Sequence, residues 1–219
     1  MKRYMTTALA LPLVGILSIG LAPAADRSYP FKIGEVDLAM QTPDGFCVPT
    51  ALYAAQADAL AKGDPQNVTV VTLLACDRSP AVSPWANYVL VKAPIIYLNA
   101  AVPKAEALAQ IDAEMSRSKS SLIDDKMSED IANSSEKTLG TRVEMRGSFA
   151  YAGRDTDCVY MAGPLQGKAD GREKAGQLAT CITVSGQRFF AVNIYEFPAV
   201  KSIEALKAQV HDIAMAIHP

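Results

Sequence analysis

Four cysteines, Cys47, Cys76, Cys158 and Cys181, constrain this chain more than any other feature, because all four follow an N-terminal segment that reads as a secretory signal. An even cysteine count in an oxidising compartment predicts two structural disulfides. Lys2 and Arg3 stand ahead of an apolar run from Ala8 to Leu21, and Ala22-Pro23-Ala24 then sets small residues at alternate positions. That is the charged, apolar and cleavable order of a signal peptide. The run is broken by Pro12 and Gly15 and falls short of the roughly 20 residues that a membrane-spanning helix needs. Residues 1–24 are therefore expected to be removed, leaving 25–219 as a single globular α+β domain with no stable membrane span, in the periplasm or secreted.

Removal of Lys2 and Arg3 takes the basic count from 21 to 19 against 23 acidic residues, a formal charge of −4. Such a balance argues against nucleic acid as a partner, since phosphates demand clustered Lys and Arg.

Local patterns predict the elements. Ile33 to Met40 reads as a strand that ends in the turn Thr42-Pro43-Asp44-Gly45-Phe46, where proline fixes one φ and glycine frees another. Thr50 to Lys62 reads as a short helix closed by Gly63-Asp64-Pro65, and Asn67 to Cys76 as a strand buried on both faces. Trp85 to Val91 and Ile95 to Asn99 read as strands parted by Pro94. Helices are expected after Pro103 and from Ser128 to Gly140. From Val143 to Tyr151 apolar and polar residues alternate as on one half-buried strand. Cys158–Ala162 and Leu178–Ser185 follow as strands, separated by a Gly- and charge-rich connection. Gly186-Gln187 predicts a two-residue hairpin of type II′ leading into Arg188–Tyr195. Ser202 caps a last helix whose Ile203, Leu206, Val210, Ile213 and Ile217 form one apolar stripe.

This order of elements, with Gly45-Phe46 after the first strand, the Arg188–Tyr195 hairpin strand and the helix from Ser202, resembles the PsbP/Mog1/DcrB-like superfamily. The resemblance implies an antiparallel sheet with helices on both faces, an α/β/α sandwich, and accessory, binding or assembly roles. No motif of functional residues maps across, so it supplies no site; the cysteines and the long Pro103 to Leu139 segment depart from the pattern.

The strand order suggests how the cysteines pair. Cys158 and Cys181 fall on consecutive predicted strands, and Cys47 and Cys76 bound a strand-turn-helix-strand unit. Adjacent pairing is one of three connectivities that four cysteines permit. Each such bridge would stabilise the fold by about 3 to 4 kcal/mol in the chain-entropy account. A redox or metal role is disfavoured, because C-x-x-C spacing and a neighbouring histidine are both missing.

Other chemistry is thinly signalled. His211 sits roughly 120° from the apolar stripe of its helix and reads as a solvated histidine. Asp155 and Asp157 flank Thr156 at a strand connection and read as turn caps rather than calcium ligands. Ser116–Lys119 and Ser134–Lys137 fit S-x-x-K, yet the companion motifs S-D-N and K-T-G are absent. Arg142, Glu144 and Arg146 share a face of mixed charge. No catalytic residue, cofactor or metal is expected. Trp85 and Tyr88, after a proline-punctuated loop, are the candidate partner surface, weighed against simple core filling. The expectation is an exported, non-enzymatic accessory or binding protein with an envelope protein as partner. The alternative is a hydrolase acting on envelope material through a dispersed site.

Overall fold

The computed structural model describes residues 28–50, 57, 61–62, 64–76, 87–117, 125–139, 142–169 and 171–219. The expected signal segment 1–24, the expected loop 77–84, Trp85 and most of the expected helix 50–62 lie outside them.

Eleven strands and three helices are described, and every strand pairing is antiparallel. A small sheet joins β1 (Ser28–Ile33), β2 (Val36–Gln41) and β11 (Ile217–His218). The large sheet runs β3 (Phe46–Cys47), β4 (Asn67–Ala75), β5 (Tyr88–Pro94), β10 (Arg188–Glu196), β9 (Arg172–Ser185), β8 (Val159–Ala169) and β6 (Val143–Gly147). A further strand, β7 (Ala150–Arg154), also pairs with β8. The helices are α1 (Lys104–Met115), α2 (Asp125–Leu139) and α3 (Ile203–Met215). The chain is thus a mixed α+β fold built on antiparallel strands.

Alternation along the strands sends neighbouring side chains to opposite faces, and each face has its own cover. Val71, Leu73, Val89, Val91, Phe190 and Val192 meet Phe31, Ile33, Leu38 and Met40 of the small sheet and Leu206, Val210 and Ile213 of α3. On the other face, Ile131 of α2 packs on Leu74, Leu90, Leu165 and Leu178, while Leu108 of α1 covers Val159 and Ile182.

Both disulfides join the expected partners, Cys47–Cys76 with Cα atoms 5.1 Å apart and Cys158–Cys181 with Cα atoms 5.3 Å apart. Ser202 accepts from the Ala205 N–H at 3.2 Å, and Leu206, Val210 and Ile213 of the apolar stripe are buried as expected, while Ile203 is half-buried and Ile217 lies beyond the helix in β11.

Several elements differ from the sequence reading. Ile33 to Met40 is not one strand: Gly34, at φ 58°, turns the chain so that Ile33 pairs with Val36. Val143 to Tyr151 is likewise divided at Ser148-Phe149 into β6 and β7. Ile95–Tyr97 is a 3₁₀ turn, since Pro94 ends β5, and α2 begins at Asp125, ahead of Ser128. The supposed connection 164–176 belongs to the long arms of β8 and β9, where Leu165, Gly167 and Ala169 are buried and Gln166 and Lys168 are exposed. Pro164 is tolerated there for a local reason. Its carbonyl accepts from Ser148 at 3.2 Å, so its missing N–H faces the break between β6 and β7, where the outer ladder is interrupted. The β9–β10 hairpin has the predicted two-residue loop, but Gly186 and Gln187 both have positive φ, 54° and 60°, which is type I′ and not II′.

Candidate functional site

The connection from β7 to β8 is built around Asp155. Its Oδ1 accepts the N–H groups of Asp157 and Cys158, each at 2.7 Å, and its own N–H donates to the Cys158 carbonyl at 3.0 Å. This is the turn-capping role that the sequence suggested. Asp157 is held from outside, by the Lys104 ammonium of α1 at 2.5 Å, and Thr183 donates to its carbonyl at 2.6 Å. The loop is therefore fixed to two neighbouring elements.

Opposite this loop lies α3. With Leu206, Val210 and Ile213 directed into the core, the same helical period carries Glu204, Lys207, Ala208, His211 and Asp212 toward the loop. Together with Ala152, Gly153, Arg154, Asp155 and Tyr160 they line a cleft of about 470 Å³. Three of these groups interlock. The Tyr160 hydroxyl donates to Asp155 Oδ2 at 2.5 Å and lies 2.7 Å from His211 Nδ1, while Nδ1 is 3.4 Å from Oδ2.

Charge states follow from the surroundings. Burial alone would raise the Asp155 carboxyl, but the Tyr160 hydroxyl, two backbone N–H groups and His211 outweigh it and hold Asp155 below its ordinary value. Burial pushes the Tyr160 phenol up, and the Asp155 charge adds to that effect, so the phenol keeps its proton at neutral pH. That one proton goes to Asp155. His211 must then present Nδ1–H to the phenol oxygen. Lys207, paired with Glu204 at 3.2 Å, sets its ammonium 5.4 Å from the centre of the Tyr160 ring.

His211 is thus a half-buried member of a hydrogen-bonded cluster, which corrects its reading as a solvated residue. His211 stands 51 positions from its partner Tyr160, beyond the reach of any local motif. The available signal was the polar sequence Glu204, Lys207, His211, Asp212 at helical spacing on one side of α3.

Asp155, Cys158 and His211 also bring three potential ligand atoms within 4.8 Å of one another, with Cys158 Sγ 3.8 Å from His211 Nδ1. Cys158 is bonded to Cys181, however, and a disulfide sulfur is not the thiolate that metals bind.

The candidate partner surface does not assemble as expected. Tyr88 is 3% exposed and stacks on Tyr195 with ring centres 4.3 Å apart, so it belongs to the core and offers no face to a partner. Trp85 lies outside the described residues. Large apolar side chains are instead exposed just beyond β5, where Ile95, Ile96 and Tyr97 are 50%, 80% and 46% accessible. Arg142 pairs with Glu144 at 3.4 Å and Glu136 at 3.5 Å, the mixed-charge face anticipated from the sequence.

No protein-family model matches the chain, and no curated protein sequence matches it. Among the described residues no helix is long and apolar enough to cross a membrane.

Proposed function

We propose that this is an exported accessory protein of the periplasm that binds an envelope protein through an apolar knob at Ile95, Ile96 and Tyr97, without catalysing a reaction. The observation that carries this reading is the exposure of three consecutive large apolar side chains on a rigidly held turn. The segment from Ala93 to Pro103 contains no charged residue. Its backbone is tied on both sides: Ile95 N–H donates to the Gln66 carbonyl at 3.1 Å, and Arg188 Nη1 donates to the Ala100 carbonyl at 2.7 Å and the Asn99 carbonyl at 3.2 Å. Tyr97 packs edge-on against Phe189 with centroids 6.1 Å apart. A preorganised apolar turn loses little entropy on docking, which is what a recognition surface requires. The two disulfides suit an oxidising, extracytoplasmic address, and residues 1–24 supply the export signal. Helices against both faces of an antiparallel sheet support placing the fold among α/β/α sandwiches of the PsbP/Mog1/DcrB-like kind.

The test is a photo-crosslinking residue at position 96 in cells exporting the protein. One discrete adduct is expected, lost when Ile95 and Tyr97 are changed to Asp, and not formed from position 200, since Val200 is 77% exposed at the opposite end of the sheet. Equal adduct patterns from both positions, or none from 96, would defeat the reading.

A second reading, a hydrolase acting on envelope material, is favoured by the Asp155–Tyr160–His211 cluster in its cleft. The lining works against it: among the described residues that line the cleft there is no serine, threonine or free cysteine, and Tyr160 holds its proton.

A further inference from the structure

The disulfide beneath the cleft separates two chemical states of the same cluster. We propose that breaking the Cys158–Cys181 bond converts Asp155, Cys158 and His211 into a binding site for a zinc-class divalent cation, so that this bridge acts as a redox gate on metal binding.

The geometry carries the argument. Ligands held 2.0 to 2.3 Å from a tetrahedral metal stand about 3.3 to 3.6 Å from one another. His211 Nδ1 is 3.4 Å from Asp155 Oδ2 and 3.8 Å from Cys158 Sγ, close to those separations without rearrangement of the backbone. Asp155 and Cys158 come from the β7–β8 loop and His211 from α3, which hydrogen bonds and core packing already fix in place. One thiolate, one imidazole and one carboxylate form a borderline-soft donor set, the kind zinc favours over calcium or magnesium. Both cysteines have 0% exposure, whereas the His211 and Asp155 side chains are 30% and 42% exposed, so the cation enters from the cleft.

The chemistry balances with an external dithiol as reductant. Two electrons and two protons pass from the dithiol to the bridge, giving two protein thiols and the oxidised reductant. On metal binding the Cys158 thiol releases its proton to solvent, and the imidazole binds through Nδ1 with its proton on Nε2. The Tyr160 hydroxyl gives up its contact with Nδ1 and remains beside the site.

The test needs no reductant, because Cys181→Ser frees Cys158 while Cys47–Cys76 stays closed. Cobalt(II) serves as the probe, with its near-ultraviolet thiolate charge-transfer band as readout. The Cys181→Ser protein is expected to show the band and the oxidised native protein to lack it. Adding His211→Ala or Asp155→Asn should weaken binding by more than about tenfold. A parallel measurement uses the native sequence after phosphine reduction, where Cys47→Ser/Cys76→Ser must retain the band and Cys158→Ser must abolish it. Absence of the band in both the Cys181→Ser and reduced proteins overturns the proposal. So does a band indifferent to His211 and Asp155.

Discussion

Glu196, 2% exposed, shows how a single charge is kept inside this fold. Its Oε2 accepts from Gln177 Nε2 at 2.6 Å and from the N–H groups of Val200 and Lys201 at 3.0 Å each, and the Lys201 ammonium lies 3.8 Å from Oε1. Burial by itself raises this carboxyl, but the donors outweigh it and the net displacement is downward. A carboxylate with a depressed folded value contributes stability that is complete above the ordinary glutamate range, near pH 4.3, and is lost as pH falls through the folded value. Glu196→Ala takes the shared acceptor from the buried Gln177 amide and from the Val200 and Lys201 N–H groups, at a cost of about 1–3 kcal/mol. Urea unfolding between pH 3 and 7 checks both points: the variant should be destabilised at pH 7, and its stability should fall less on acidification than that of the native protein. By contrast, the Lys32–Asp37 pair, 63% and 80% exposed, contributes about 0–1 kcal/mol at most. Nothing local distinguished these two acids in the sequence. The neighbours of Glu196 come from β9 and the turn after β10, and burial is a property of the assembled chain.

Among the elements, the β8–β9–β10 meander bears the most consequence, since it holds one disulfide, one wall of the cleft and the approach to the apolar knob. Gly176 on β9 has no room for a side chain: a Cβ there would run into the Phe197 ring and the Glu196 carbonyl. Gly176→Ala should therefore destabilise by about 1–3 kcal/mol, seen as a lower urea midpoint with an unchanged slope. Replacing Cys158 and Cys181 together by serine should cost about 3–4 kcal/mol in the absence of metal, comparable with the loss from Cys47 and Cys76. Calorimetry of the two double variants compares them directly. Legibility also varied by element. The hairpin at Gly186-Gln187 and the α3 stripe could be read because their signals are short and local. The β1–β2 hairpin was hidden because its two-residue turn only shifts the apolar alternation by one position, from Phe31 and Ile33 to Val36, Leu38 and Met40, and the outer arms of β8 and β9 because, Leu165 apart, their buried positions are Gly167, Ala169 and Gly176, whose small side chains carry little pattern. Gln187 adopts a positive φ without being glycine, so the turn type was beyond sequence reasoning.

For the whole molecule, the cysteine pairing and the α+β class followed from strand order, whereas the cleft did not. Its parts come from β7, the β7–β8 loop, β8 and α3, and only folding brings them together. The apolar knob was missed for a different reason: Ile95 and Ile96 have the composition of a strand, and Pro94 together with the Gln66 contact turns them outward. Export in a doubly bridged form underlies both the binding reading and the redox gate. Intact mass of the exported protein under non-reducing conditions measures it most directly. A chain that begins at Ala25 and weighs four hydrogens less than its reduced form is the predicted result. A chain that retains residues 1–24, or whose mass does not change on reduction, would contradict it.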